Sequence, residues 1–516
     1  MTVALISPNL VAQENDLFTT GIVYMPVSLA YTAAALRKAG HAVEVIDAFG
    51  ESPRQVRTAE NFFLYGLNER QIAERVPPNI TLVFVYALNL ISHISTVNIV
   101  RAVKQARPRL KIIVLENTQA VTAYALKFAA SEFYEAGADF ILTGEGEDRA
   151  VQLTEAIATA NPASPRTIDG IGAKDFYNPP LKPVGDLDLL PFPAWDLFPL
   201  RNYWNLRFAH GPVTSKMYLP ILTSRGCPYP CRFCVVPETN NQKWRARSPQ
   251  NVVDEMQFWG EKYGVAEFHI EDLDPTISEE RTRGICHEII KRGLKIVWKI
   301  AAGTKVETIK SGETIDLMAQ AGCRYISISP ETGSPRVLKL MQKPFDLAHA
   351  VTLVRRMNAV GIRSQACFVL GFPGETDEDL DMTCSLVRDL TREGVDEVAL
   401  FIATPVPGSA IYKEFSGYES LSELNFTPAW RTDYQRLNRF RLRLYASFLM
   451  WKLLSHPVKL LRQPWNFLRR RFETKMEMVP YRALKLWMWA RIKLKKCPQK
   501  SPLPFPVITK RPRLPR

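Results

Sequence analysis

The sequence predicts an α/β protein: an N-terminal doubly wound, Rossmann-like domain, then a partial (β/α)6 TIM-type barrel, then a basic helical C-terminal region. Three observations carry this. Five short apolar runs alternate with helical stretches over residues 1–150, and six more do so over 218–405. From Arg431 onward, 23 Lys or Arg stand against three acids, Asp433, Glu473 and Glu477. Strand and helix alternating at this spacing give parallel sheets. The chain has 516 residues, 46% apolar and 23% charged, enough for several cores and too apolar for a disordered protein. The expected divisions are 1–160, a linker at 161–217, a barrel at 218–415 and a tail at 416–516.

The N-terminal strands are VALIS (3–7), HAVEVIDAF, ITLVFVYAL (80–88), KIIVLEN (111–117) and DFILTG (139–144). PVSLAYTAAALRKAG (26–40) reads as a helix, with Ser28 near its start and Gly40 past its end. The first residues lack a basic region ahead of their apolar run, so they read as a strand rather than a signal peptide. No run of about 18 apolar residues appears, and no membrane span is expected. A parallel sheet of this kind takes ligands at the carboxyl ends of its strands. His93 follows the strand 80–88; a lone histidine there is expected to be a polar surface residue rather than a metal ligand. The linker is rich in proline, which disfavours helix interiors, and is expected to pack across both domains.

The barrel strands are YLPILTS (218–224), EFHIED (267–272), KIVWKIAA (295–302), YISISPE (325–331), SQACFVLG (364–371) and EVALFIATP (397–405). The clearest helix, from Ser248 to Gly264, has Ser248 as its cap. Barrels of this type place chemistry at the carboxyl ends of their strands. TSRGCPYPCRFCVVPE, directly after the first barrel strand, holds Cys227, Cys231 and Cys234 in C-x-x-x-C-x-x-C spacing. Three thiolates suit an iron–sulfur cluster with one open iron. A zinc knuckle wants a fourth ligand, and no other Cys or His falls within ten residues. A disulfide would leave one cysteine over. The remaining cysteines, Cys286, Cys323, Cys367, Cys384 and Cys497, are scattered and read as core residues, which suits a reducing cytoplasm.

With Phe233 just before its last cysteine, this motif resembles the signature of the radical S-adenosylmethionine (radical SAM) superfamily. SPETGS, GFPGET and TPVPGS, at successive strand ends, resemble further elements of it. LAYTAAALRKAGHAVEVIDA and ADFILTGEGE resemble the cobalamin-binding domain that precedes the barrel in a class B methylase-like subgroup. There are two departures. No D-x-H-x-x-G occurs, so bound cobalamin would have no histidine below its cobalt, and Leu115-Glu116-Asn117 replaces the glycine pair after the fourth strand.

The resemblance implies a [4Fe-4S] cluster on Cys227, Cys231 and Cys234, with SAM chelating the open iron. It implies SAM contacts from Phe233, Glu271, Glu331, Gly371, Pro373 and Gly374, and cobalamin contacts from Asn89, Gly144 and Glu145. Arg245 and Arg247 read as surface charges, with binding of a carboxylate or phosphate as the alternative. The implied chemistry is reductive cleavage of SAM to a 5′-deoxyadenosyl radical, with methyl transfer from methylcobalamin to an unactivated carbon. A one-electron donor such as flavodoxin or ferredoxin is implied. The alternatives are a radical cyclase, rearrangement or oxidation enzyme, with or without cobalamin, and a non-enzymatic iron–sulfur or zinc adaptor.

The tail gives +20 in a chain whose total is +14, leaving −6 on the first 430 residues. Arg436, Arg439 and Arg443 fall near one face of its first helix; Leu437, Phe440, Leu444, Phe448 and Trp451 fall near another. Cations interleaved with Trp, Phe and Leu suit a helix lying on an anionic membrane surface. Nucleic acid, which basic and aromatic residues also serve, is the less favoured partner, and a helical cap on the barrel fits beside either. The expected location is cytoplasmic, peripheral on the inner face of the membrane, with a hydrophobic or lipid-like substrate. Residues 499–516 are proline-rich and expected to be disordered.

Overall fold

A computed structural model describes residues 1–59, 61–159, 164–425 and 427–496. Cys497 and the proline-rich end lie outside them. The N-terminal domain carries β1 (Thr2–Ser7), β2 (Leu10–Gln13), β3 (Ala42–Asp47), β4 (Val56–Ala59), β5 (Phe62–Tyr65), β6 (Leu82–Ala87), β7 (Lys111–Glu116) and β8 (Phe140–Leu142). The linker adds β9 (Ile171–Ala173) and β10 (Phe176–Tyr177). The main sheet runs β10-β9-β8-β7-β6-β1-β3. Its five central members, β3 to β8, are parallel, and the linker pair continues the edge antiparallel. Helices cover both faces, so every residue of β6 is buried and its sequence is an unbroken apolar run. The chain leaves β1 for β3 on one side and reaches β6 on the other, so the strand order reverses between β1 and β6. β2, β5 and β4 form a separate antiparallel sheet.

The second array is β11 (Leu219–Ile221), β12 (Ser224–Arg225), β13 (Arg245–Ala246), β14 (Glu267–Ile270), β15 (Val297–Thr304), β16 (Cys323–Glu331), β17 (Arg363–Leu370) and β18 (Glu397–Ile402). Six of these form an all-parallel sheet ordered β11-β14-β15-β16-β17-β18, with no pairing between β11 and β18. It is therefore an open barrel. The linker fills its start: Glu267 accepts from the backbone of Thr214 and Ser215, and Lys299 donates to Glu267 at 2.8 Å and to the Pro212 carbonyl. Burial favours a neutral Glu267, but Lys299 and His269 outweigh it and hold its carboxyl far below the usual range.

The helix Val27–Lys38 starts after Pro26 with no side-chain cap, so Ser28 lies in its first turn rather than capping it. Ser248 does cap Pro249–Tyr263, accepting from the Asn251 amide. The linker crosses both domains: the Ala194 amide donates to the Ala30 carbonyl, Asp196 pairs with Arg37, and Asp188 accepts from the Ser248 amide. Arg245 and Arg247 are not surface charges. Arg247 is buried against Glu255, Tyr31 and the Leu222 carbonyl, and Arg245 pairs with Glu145. His93 is buried too, bonded to the Tyr124 hydroxyl at 2.8 Å and to Glu132 at 3.1 Å. Both errors share one cause. Polar groups in a tight interface look exposed in a sequence, and only the fold supplies the partners that let them be buried.

The tail folds as three helices, Tyr434–Ser455, Pro457–Arg469 and Lys475–Lys496. Leu437, Leu444 and Phe448 pack inward, and the Tyr445 hydroxyl accepts from the Leu400 amide. The last helix returns to the N-terminal domain, where the Tyr65 hydroxyl donates to the Leu486 carbonyl. Among the described residues no helix is long and apolar enough to cross a membrane.

Candidate active site

The cysteine loop leaves the barrel at the carboxyl end of β11 and is clasped at its base by the β12–β13 hairpin. Gly226 turns into it with φ +78°, and a β-carbon there would strike the Lys243 carbonyl. Cys231 is buried, and Cys227 and Cys234 are half-buried. Burial pushes all three thiols up, Cys227 to about 12. Among the described residues no three Cys, His, Asp or Glu side chains converge on a single ion. Separate thiolates from one loop fit a cluster in which each binds a different iron.

Three sequence elements meet around this loop. Phe233 packs in a small apolar cluster with Val337, Met341, Phe372 and Ile411, which joins the loop to GFPGET. Lys343 lies over the Phe233 ring at 5.9 Å and pairs with Glu331 at 2.5 Å. Glu331 has φ +63°, a left-handed conformation costly for a side chain with a β-carbon. Burial opposes the Lys343 charge, but Glu331 and Cys231 together hold it above its ordinary value. Asp274 lies within electrostatic reach of Cys227, and burial raises its carboxyl to about 6. Lys343 is a residue the sequence reading missed; nothing in MQKPF marks it.

Gly371 has φ +72°, and a β-carbon there would collide with Leu437 of the tail, while its carbonyl accepts from Arg431 at 3.0 Å. The chain's own tail makes the close approach. Pro373 and Gly374 stand in the same turn, where the Gly374 carbonyl accepts from Arg336.

Two open clefts, spanning about 840 and 660 Å³ with open solvent included, adjoin and share Val23, Tyr24, Leu88, Val121 and Thr122. The larger is lined by Ser7–Val11 after β1 and Leu88–Ser92 after β6. That is where the strand order reverses, the place an open parallel sheet takes its ligand. Asn89 lines it while capping the turn that follows, accepting from the Ser92 amide. The smaller cavity reaches into the barrel along Tyr218, Pro220, His269 and Glu271. There Glu271 accepts from His210 at 2.6 Å, and burial lowers the imidazole's pKa. His210, a linker residue, was not singled out by sequence. Gln119 Oε1 and the Tyr218 hydroxyl around the smaller cavity, and Thr404 Oγ1 around the larger, are buried without a hydrogen-bond partner. Such orphans fit a polar ligand that supplies the missing bonds.

Gly144 and Glu145 line neither cavity. Glu145 is saturated by Arg245 and the Val184 amide, so it clamps the linker and barrel instead of facing a cofactor. The Gly144 amide donates to Glu116 at 2.7 Å. Glu116 also accepts from the Leu126 amide, so the residue replacing the family glycine ties together the loops after β7 and β8. Asn117 donates to the Leu88 carbonyl and lines the smaller cavity.

Residues 221–387 match the family model of the radical SAM superfamily. The matched stretch runs from the end of β11 through β17, with the cysteine loop near its start. A cytidylyl-2-hydroxyethylphosphonate methyltransferase of Streptomyces wedmorensis is 27% identical over 75% of this chain and 77% of its own. An anaerobic magnesium-protoporphyrin IX monomethyl ester cyclase of Rubrivivax gelatinosus is 27% identical over 54% of this chain and 49% of its own. The radical SAM methyltransferase TsrM of Kitasatospora setae, solved with cobalamin and a [4Fe-4S] cluster bound, aligns with a TM-score of 0.60 at 18% identity. That alignment covers 80% of this chain and 77% of TsrM. At that identity the likeness shows the shared fold, a Rossmann-like domain followed by the barrel.

Proposed function

We propose that the protein is a cobalamin-dependent radical SAM methyltransferase acting on an unactivated carbon of a hydrophobic or lipid-like substrate. One observation carries the reading: adjoining cavities run from the switch point of the N-terminal sheet into the barrel whose first strand ends in the cysteine loop. When bound, the cluster and SAM supply one-electron bond cleavage, and cobalamin supplies a transferable methyl group.

The residues have separable tasks. Cys227, Cys231 and Cys234 hold the cluster. Glu331, fixed by Lys343, and the turn at Gly371, Pro373 and Gly374 border SAM, with Phe233 packing the loop against them. Asn89 and the backbone around it floor the cobalamin side. Among the described residues no histidine lines the larger cavity. Glu271 and His210, on the wall of the smaller cavity, would orient the substrate. Leu10, Val11, Val23, Leu88 and Val121 give the walls their apolar character, which suits a hydrophobic substrate. A small one-electron donor such as flavodoxin or ferredoxin completes the system, and the tail, residues 431–496, brings the enzyme to an anionic membrane surface. The named methyltransferase relatives favour methyl transfer; the cyclase relative supports radical ring closure as the second reading.

The test is anaerobic purification with cobalamin supplied, cluster reconstitution, and iron, sulfide and cobalt counted per chain. The expected result is about four irons with bound cobalt, and iron lost in Cys234→Ala. Four irons with no cobalt would displace methyl transfer in favour of a cobalamin-free reaction. One zinc and no sulfide would refute the radical reading.

A further inference from the structure

The three tail helices divide their apolar residues between two destinations. One set, Leu437, Leu444, Phe448, Phe472 and Leu486, is buried. A second set points to solvent. On the helix Pro457–Arg469, Val458, Leu461, Trp465 and Leu468 recur at spacings of three and four, which places them on one face. They are 73%, 74%, 54% and 73% exposed, and Leu454, at the end of the preceding helix, is 76% exposed. The opposite side of the helix is fixed to the protein: Lys459 pairs with Asp396 at 3.0 Å, and Asn466 donates to Glu477 at 3.0 Å. The apolar stripe is therefore held outward. Contiguous exposed apolar surface of this kind marks an interaction site.

Charge decides what covers it. Each of the tail's three acids is engaged within the protein: Asp433 with Arg431, Glu473 with Arg363 and Arg462, and Glu477 with Asn466 and the Glu473 amide. Among the described residues, Arg469 and Arg491 have no acidic partner. Arg469 stacks over the Trp465 ring at 4.2 Å, and on the next helix Arg491 stacks over Trp487 at 5.2 Å. A nucleic acid would use the cations and leave the aliphatic stripe wet. An anionic bilayer takes both, with the aliphatics among the acyl chains and the Trp–Arg pairs at headgroup level.

We propose that the face formed by Leu454, Val458, Leu461, Trp465 and Leu468, with Arg469 beside it, docks on an anionic phospholipid bilayer. This gives the tail's membrane role a defined surface, and it stands whether or not the cofactor reading holds. The docked region is joined to the active site. Arg482, on the last helix, donates to the carbonyls of Phe18 and Thr20, and Thr20 and Gly21 wall the larger cavity. Membrane contact and cavity wall are two sides of one helical unit.

The experiment is vesicle flotation of the full chain, with phosphatidylcholine vesicles alone and with roughly a third phosphatidylglycerol. The expected result is binding to the anionic vesicles only, weakened on moving from about 0.1 M to about 0.5 M salt. Leu461→Glu/Leu468→Glu should lower binding at least about tenfold, with iron content and melting temperature unchanged because both leucines are exposed. Failure of the wild type to bind anionic vesicles, or undiminished binding by the double variant, would overturn the proposal. So would a wild-type dimer that the double variant turns into monomers, because the stripe would then be a self-association surface. Iron content reads the cluster separately, so a negative vesicle result leaves the catalytic reading untouched.

Discussion

Replacing Lys343 with methionine removes the partner of a buried carboxylate without opening a large cavity. Both side chains of the Lys343–Glu331 pair are more than nine-tenths buried, with 2.5 Å between nitrogen and oxygen. At an effective dielectric of about 20, the attraction at such separation is on the order of 6 kcal/mol, much of it offset by desolvation. Breaking a buried pair by deleting one member costs about 3–5 kcal/mol, because the other charge stays behind unpaired. If the barrel melts as a unit of roughly 200 residues, each kcal/mol shifts its midpoint by about 2–4 °C. Lys343→Met should therefore lower the melting temperature of the cluster-free protein by roughly 6–20 °C, read by near-ultraviolet circular dichroism under reducing conditions. Adding Glu331→Gln removes the stranded charge and should recover at least about half of that loss. A single variant melting with the wild type, or a double variant no more stable than the single, would refute the argument that the pair is held by mutual neutralisation.

Two further outcomes rest on particular contacts. Burial raises the Glu116 carboxyl to about 7 from an ordinary 4.5. The folded state thus binds the proton more tightly than the unfolded chain, and the stability this gives is full below about 4.5 and lost as pH rises through about 7. Urea midpoints at about pH 5 and pH 8 should fall less in Glu116→Gln than in the wild type; equal slopes would remove Glu116 from the pH response. Gly371→Ala forces a left-handed alanine against Leu437, costing about 1–2 kcal/mol from the backbone alone. Limited proteolysis should then cut within 431–455 faster than in the wild type, and an unchanged rate would mean that the turn, not the tail, sets the glycine.

The strands of both arrays were legible because parallel sheets buried on two faces need continuous apolar runs, and these stand out between turn residues. The cysteine loop was legible because its ligands are local in sequence. What could not be read was anything requiring two distant segments. The β2–β5–β4 sheet pairs residues 10–13 with 62–65 across short strands with little periodicity. His210 acquires meaning only when Glu271, 61 residues away, is placed beside it. Glu145 looked like a strand-end ligand and is instead the counter-ion of Arg245, exactly 100 residues on. Lys343 sits in an unremarkable turn and becomes important because Glu331 folds back toward it.

These long-range pairs share a location. Arg225 meets Glu147 at 2.6 Å with both side chains almost fully buried, Arg245 meets Glu145, and Arg247 reaches Tyr31. All three arginines lie on or beside the hairpin that clasps the cysteine loop, and all three partners belong to the N-terminal domain. Buried ion pairs contribute little net stability compared with apolar packing, but they penalise misplacement heavily, since a shift leaves charges unpaired. On the proposed function, radical chemistry between two bound cofactors would require their separation to be held closely, because displacement of about 1 Å costs rate. A rim of costly, directional pairs between the cysteine hairpin and the N-terminal domain would be the physical means of fixing that separation. An apolar interface of equal area would bind the domains as strongly while letting them slide.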